Sequence, residues 1–314
     1  MAYAKGAGAT YVGGFLPRPI SKIHNINPIL HQALGYICSL CRFVPKADVY
    51  LITAPDCLAS LAFRKKNFKV ILINDGPFFY ILEREKNQFK RKYMLHLLNQ
   101  VDGIISPTEM MKKQAEPFTK GIPNEVVPLF VDTNRYGKIK ADLSSPNVSC
   151  FARPYFLKGT DILVKAFKLI KKEYKEANLY VGGKGPMIKK FRDVPGVHMP
   201  GFCKPEKYLS KSGLYINAAR LEPFGVNILE AMCAGIPPIV SENCGAKEIV
   251  AKVDPSLIVK CNPNAIAKRA IGLHESRDKE ELGKKCRKIA MKYTRKRTIR
   301  MARKAFRKML SELK

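Results

Sequence analysis

The sequence predicts a two-domain α/β protein built on parallel sheets, and three observations carry that reading. Short β-branched runs alternate with helix-length amphipathic stretches through most of the chain, the pattern left by parallel strands joined through crossover helices. The 314 residues, 46% of them apolar, exceed one ordinary domain and can fill two cores. Between Asp132 and Asn147 the periodicity stops and Asp, Asn, Gly, Ser and Pro accumulate, which marks a linker.

Taken in order, an apolar helix is expected over 28–41. Strands follow over 48–53, 69–73, 103–106 and 124–127, with helices over 55–63, 88–101 and 108–118. In the second half, strands are expected over 147–151, 178–181, 197–199, 214–216, 238–240 and 257–259, separated by helices such as 161–174. From 284 to 314 the chain reads as helical. Ile299, Ala302, Phe306, Met309, Leu310 and Leu313 recur at helical spacing with Lys or Arg at most other positions, so one face docks and the other is strongly basic.

Fifty-six Lys and Arg against 26 Asp and Glu leave a net charge of +30, a field that attracts nucleic acid, anionic lipid or phosphorylated substrates. No helix-turn-helix, zinc-finger or RNP pattern accompanies it, so no specific nucleic-acid partner is expected. No apolar run reaches the length of about 18 residues that a membrane helix needs. The opening 16 residues lack a basic segment followed by an apolar one, so a cytoplasmic protein is expected. Nine scattered cysteines suit buried, reduced thiols. Cys38 and Cys41 have no second pair at zinc-site spacing, so no metal site is expected.

The densest chemical signal lies over 217–250. Pro223 to Gly225 reads as a tight loop after a strand, and a helix from Val226 points its free amides and positive dipole end at that loop. This makes a cradle for an anion or for sugar hydroxyls. Glu222 precedes the helix and Glu230 lies about two turns along it, so the two carboxylates can accept hydrogen bonds from different parts of one elongated ligand. The plainer alternative is that Glu222 complements the helix dipole and Glu230 is solvated.

Around this pair the chain resembles the retaining glycosyltransferases of family four. The resemblance runs in order through Ala152–Asp161, Leu179–Pro186, Pro200–Phe202, Glu222–Glu230 and Ser241–Glu248, and Val127–Asp132 is similar to the turn at that family's domain border. It implies the GT-B fold, two facing Rossmann-like domains, here over 1–138 and 139–291, with a final helix 292–314 that packs back on the first. It also implies transfer of a sugar, with retention, from a nucleoside-diphosphate-sugar donor to an acceptor.

By that resemblance Arg153 and Lys158 bind the donor diphosphate, Glu222 the transferred sugar and Glu230 the ribose hydroxyls. Phe224, Gly225 and Val226 present amides nearby, and Gly201 and Phe202 meet the nucleobase. Two cations and a helix N-terminus can stabilise charge on the leaving diphosphate, so no metal or other cofactor is expected. Asp75, ending strand 69–73, is a candidate for orienting hydroxyls or simply a turn residue with Gly76 and Pro77; Asn74 stands where the family often has His. Gly14 is a further donor candidate. Only a short glycine-rich segment precedes it, so the N-terminal domain is expected to be compressed or truncated relative to the family. Gly183 and Gly185 lack the third glycine of a dinucleotide fingerprint and are expected to turn a strand into a helix.

Phe78–Leu82, followed by Lys86, Phe89, Lys90, Arg91, Lys92 and Tyr93, interleaves aromatics with cations. That pattern suits a glycan or lipid-linked acceptor at an anionic membrane surface, or a half-buried helix with a solvated basic face. Two other classes remain compatible with these features: a nucleotide-binding protein without transfer, and a basic nucleic-acid-binding protein.

Overall fold

Buried aliphatic runs become strands where the sequence supplies them. In the computed structural model, which describes residues 46–53 and 67–312, the chain divides into two compact units, Pro128–Thr298 and the residues on either side of it. The helices expected over 28–41 and 55–63, Gly14, Cys38 and Cys41 lie outside the described residues.

In the first unit, β1 (Val49–Ile52), β2 (Lys69–Ile73), β3 (Gly103–Ser106) and β4 (Asn124–Val126) are parallel and adjacent in chain order. Val70 to Ile73 and all of β3 are buried, the continuous burial of strands covered on both faces. Among the described residues between these strands the helices are α1 (Phe78–Arg84), α2 (Gln88–Leu98) and α3 (Glu109–Ala115). Asn87 caps α2 by accepting from the Lys90 amide, and Thr108 caps α3 by accepting from the Met111 amide. α2 stops short of the predicted 101 because the chain turns there into β3, where Asp102 Oδ2 accepts from the Val70 amide at 2.8 Å. The predicted helix 108–118 divides at Pro117, which has no N–H, into α3 and a 3-10 turn over Glu116–Phe118.

The second unit opens on the stretch predicted as a linker, and that stretch packs as part of the unit. α4 (Thr133–Tyr136) begins at Asp132, whose side chain accepts from the Arg135 amide, and Val131, Tyr136 and Ile139 are buried. The Arg287 guanidinium donates to the Gly137 and Ile139 carbonyls at 2.6 and 2.7 Å. The strands are β5 (Val148–Cys150), β6 (Leu179–Gly182), β7 (Val197–Gly201), β8 (Leu214–Asn217), β9 (Pro238–Ser241) and β10 (Ile258–Val259). They are all parallel, in the spatial order β10-β9-β8-β5-β6-β7. After β5 the chain therefore builds outward on one side, then returns to build on the other. The switch lies between β5 and β8, and open α/β sheets bind ligands beyond the carboxyl ends of the strands at such a point.

The crossovers are α5 (Thr160–Glu173), α6 (Ile188–Phe191), α7 (Glu206–Leu209), α8 (Val226–Cys233), α9 (Lys247–Val250), α10 (Pro263–His274) and α11 (Lys279–Ala290). α5 buries Leu163, Ala166, Phe167 and Ile170 at helical spacing and packs on α10. Burial of each large member of that stripe stabilises the fold by about 1.5–3 kcal/mol.

The helical stretch predicted over 284–314 is interrupted. After α11 the chain turns through Met291–Thr294, where Tyr293 is buried and its carbonyl accepts from the Val131 amide. Thr294 Oγ1 then accepts from the Arg297 amide at 3.3 Å and starts α12 (Arg295–Glu312). From Ile299 onward α12 belongs to the first unit, burying Ala302, Ala305, Phe306 and Met309. A Cβ on Gly103 would lie 3.0 Å from Met309 Sδ, so the glycine at the start of β3 leaves room for the α12 methionine. Among the described residues no helix is long and apolar enough to cross a membrane.

Candidate active site

The loops leaving β5 and β8 meet at the switch point because glycine permits it. After β5 the chain passes through Arg153 and a 3-10 turn, Phe156–Lys158, to Gly159 at φ 65°. A Cβ on Gly159 would stand 1.8 Å from the Ala218 carbonyl oxygen, so only glycine lets this turn press against the end of β8. The close approach brings Lys158 Nζ to 3.0 Å from Glu222 Oε2, with the two side chains 25% and 11% exposed. An ion pair so covered is an organised feature of the site.

The Glu222 loop is held from its other side. Glu222 bridges to Cys244, the Gly245 amide donates to the Glu222 carbonyl, and the Ala246 amide donates to the Phe224 carbonyl, both at 2.8 Å. Gly225, at φ 91°, opens α8, and the amides preceding Ile228 are those an α-helix leaves without internal acceptors. Asn227 Nδ2 donates to the Phe151 carbonyl at 2.8 Å and fastens the start of α8 to the exit of β5.

Arg153 is exposed on the same loop and pairs with no other described side chain. Its backbone is seated by glycines. A Cβ on Gly183 (φ 114°) would be 3.2 Å from Arg153 Cα, and one on Gly185 would be 2.6 Å from the Pro154 carbonyl oxygen. These glycines turn the chain after β6, as expected, and also admit the Arg153 backbone. The Gly183 amide donates to the Gly201 carbonyl at 2.7 Å. Gly201 has φ 72° and open space on its side-chain side, and the neighbouring Phe202 ring is 74% exposed, with Lys184 Nζ 5.3 Å from its centroid.

Glu230, about one turn along α8 and eight positions after Glu222, is half-buried beside α4. Burial raises its carboxyl above the ordinary value, while the hydrogen-bonding Tyr136 hydroxyl and the Arg135 charge act in the opposite sense. Arg135 is itself held in a fork by Glu206, with Nη2 2.9 Å from Oε2. Glu230 is therefore set in a network rather than solvated.

The sequence candidates thus divide. Arg153, Lys158, Gly201, Phe202, Glu222, Phe224, Gly225, Val226 and Glu230 all lie on the second unit, on loops and a helix that leave β5, β7 and β8. Asp75 lies in the loop two residues after β2, in the first unit, and is exposed. Asn74 beside it is buried and donates from Nδ2 to Ser106 Oγ at 3.1 Å and the Met111 carbonyl at 3.0 Å, a tie between β2, β3 and α3. Sequence reasoning missed Arg220, Asp161, Tyr136 and Asn227. Their partners are far along the chain, and only the nearness of Arg220 to Glu222 offered a hint. Among the described residues no three His, Cys, Asp or Glu side chains cluster as metal ligands.

Residues 138–293, the portion that carries this constellation, match the family model for glycosyl transferases group 1. By this domain the chain belongs to the glycosyl transferases group 1 family. The group 1 protein is 25% identical over 147 residues to EpsD of Bacillus subtilis (strain 168), a match covering 44% of this chain and 39% of EpsD. It is 28% identical over 135 residues to sucrose-phosphate synthase of Spinacia oleracea, covering 43% of this chain and 12% of that enzyme. The chain thus aligns with well under half the length of these curated relatives. Among solved structures, Anabaena HepE in complex with UDP-glucose superposes with a TM-score of 0.69 at 17% identity, covering 96% of this chain and 86% of HepE. Sucrose-phosphate synthase of Thermosynechococcus elongatus gives a TM-score of 0.69 at 16% identity, covering 95% and 81%. The group 1 protein therefore has the GT-B fold.

Proposed function

We propose that the protein is a glycosyltransferase that moves a sugar, with retention of configuration, from a nucleoside-diphosphate-sugar to an acceptor hydroxyl. The observation that carries this reading is the Lys158–Glu222 pair, set at the switch point beside the N-terminus of α8. A cation and a carboxylate joined at the switch point offer complementary places to the two halves of such a donor. Lys158, Arg153 and the first amides of α8 would receive the diphosphate, and Glu222 would accept from hydroxyls of the sugar. Glu230 would accept from the ribose, with Gly201 and Phe202 beside the base. The complex of HepE with UDP-glucose favours a uridine nucleotide as the first donor to try.

In this reading the bond between the anomeric carbon and the diphosphate oxygen breaks, and one from the same carbon to the acceptor oxygen forms on the same face. The acceptor proton passes to the departing diphosphate, so no protein base is required. Charge gathers on the diphosphate as the bond breaks. Lys158 and the helix amides, held in place in advance, and the exposed Arg153 would stabilise it, without a resident metal.

The acceptor side of the reading is a lipid-linked or membrane-surface glycan. Ile81, Phe89 and Tyr93 are exposed on α1 and α2 among Lys86, Lys90 and Lys92, with Phe89 87% exposed. Apolar side chains among cations suit the interface of an anionic bilayer. The test is release of nucleoside diphosphate from UDP-, GDP- and ADP-sugars by the purified protein, with and without glycan or lipid acceptors. Turnover that falls by about 100-fold in Lys158→Ala is the expected result; no turnover with any donor and acceptor, or turnover indifferent to Lys158, contradicts the reading.

A further inference from the structure

Lys158 and Glu222 sit on separate loops, 64 positions apart, so their 3.0 Å contact requires that the two loops be fixed to each other. One side chain outside the pair does this. Arg220 Nη1 and Nη2 donate to Asp161 Oδ1 and Oδ2, both at 2.7 Å, and Nη1 also donates to the Phe156 carbonyl at 2.7 Å. The guanidinium carbon lies 3.8 Å from the Phe156 ring centroid. Phe156 opens the 3-10 turn that ends at Lys158, and Asp161 lies in the first turn of α5 just beyond it. A single guanidinium thus holds the Lys158 turn at both ends. Arg220 itself stands just ahead of Glu222, and the Arg220 and Leu221 amides both donate to the Leu157 carbonyl, at 2.8 and 3.1 Å.

We propose that Arg220 and Asp161 are positioning residues of the donor site: their paired side chains fix the turn carrying Lys158 against the loop carrying Glu222. The inference rests on the donor reading above for its purpose, while the clamp itself is a matter of geometry. The charges are 24% and 20% exposed, so each depends on the other for the hydration it has lost. Lysine cannot replace Arg220, because one ammonium cannot span both carboxylate oxygens, reach the Phe156 carbonyl and stack on the ring.

The test uses Arg220→Lys and Asp161→Asn with two readouts. The first is competitive acetylation of Lys158, measured by mass spectrometry against exposed lysines in the absence of nucleotide. Reactivity rising in both variants toward the level of Glu222→Ala is expected; unchanged reactivity overturns the proposal whatever the protein binds. The second is calorimetric affinity for the diphosphate chosen among UDP, GDP and ADP, and for its nucleoside. The clamp predicts a loss of about tenfold for the diphosphate, none for the nucleoside, and no further loss when Arg220→Lys is added to Lys158→Ala. Equal loss for both ligands, or loss that persists without Lys158, assigns the pair to general stability and overturns it. Should Arg220→Lys fail to fold, Asp161→Asn carries the same readouts. Wild-type protein that binds none of the three diphosphates refutes the donor reading alone, and the acetylation result still decides the clamp.

Discussion

For single residues, the pairing of Lys158 with Glu222 has an energetic consequence. A bare nucleoside diphosphate must draw Lys158 from Glu222 and leaves that carboxylate without a cation, whereas a sugar donor returns hydroxyls to it. Glu222→Gln is therefore expected to bind the bare diphosphate about three- to tenfold more tightly than wild type while losing transfer, measured by titration calorimetry beside an activity assay. A second buried charge lies elsewhere on the same unit. Lys279 Nζ donates to the Leu143 carbonyl at 2.6 Å and sits 3.2 Å from His274 Nδ1, and burial pushes the amine from its ordinary 10.5 down to about 8. A lowered amine favours folding when neutral, so this contribution is present above 10.5 and is lost as pH falls through about 8. Lys279→Met removes this titration along with the hydrogen bond to the Leu143 carbonyl, so the Tm of the wild type should rise relative to the variant as pH goes from 7 toward 10. A Tm difference that is the same at both pH values would contradict the assignment. Glu222, Glu230, Arg153 and Lys158 stand out in the sequence through motifs that resemble those of a known family, and the structure places all four on the second unit. The Arg220–Asp161 pair was not, since its members are 59 positions apart and meet only because β5 and β8 are neighbours.

At the scale of the element, the site is made by turns as much as by side chains. Gly159→Ala would drive a methyl into the Ala218 carbonyl at a positive φ, and the expected cost is about 2–4 kcal/mol together with loss of nucleotide binding. Gly272, within α10, is the contrasting case: a Cβ there meets nothing within 4 Å, and Gly272→Ala should stabilise by about 0.5–1 kcal/mol with binding unchanged. Chemical denaturation of both variants checks the pair of expectations. Strands were legible to within a residue or two because continuous burial leaves continuous apolar runs. Helix ends were less so. The stop of α2, the division at Pro117 and the turn between α11 and α12 depend on caps and on contacts such as Val131 with Tyr293, which periodicity does not encode.

At the scale of the whole molecule, alternation of strands and helices announced two parallel α/β units, but the spatial order β10-β9-β8-β5-β6-β7 had to be seen. That order explains why residues of two separate motifs come together where β5 and β8 leave the sheet. The net charge of +30 acts at this scale too. On the first unit Arg300, Lys304 and Arg307 are exposed along α12, as are Phe89 and Lys92 on α2. Cosedimentation with vesicles containing about 30% anionic lipid should be strong at low salt, fall steeply toward about 0.5 M salt, and weaken in Phe89→Ser. Binding to neutral vesicles that is equally strong would refute an electrostatic membrane contact.

A nucleoside diphosphate bound where β5 and β8 part would stabilise the fold, and thermal unfolding reads that stabilisation. The protein would be melted with UDP, GDP and ADP beside Lys158→Ala and Glu230→Ala. A ligand at about 100 times its Kd adds roughly 2.7 kcal/mol, enough to move Tm visibly. A shift selective for one base and abolished in both variants is expected; no shift with any nucleotide at millimolar concentration, or a shift that both variants retain, would rule out binding at this point.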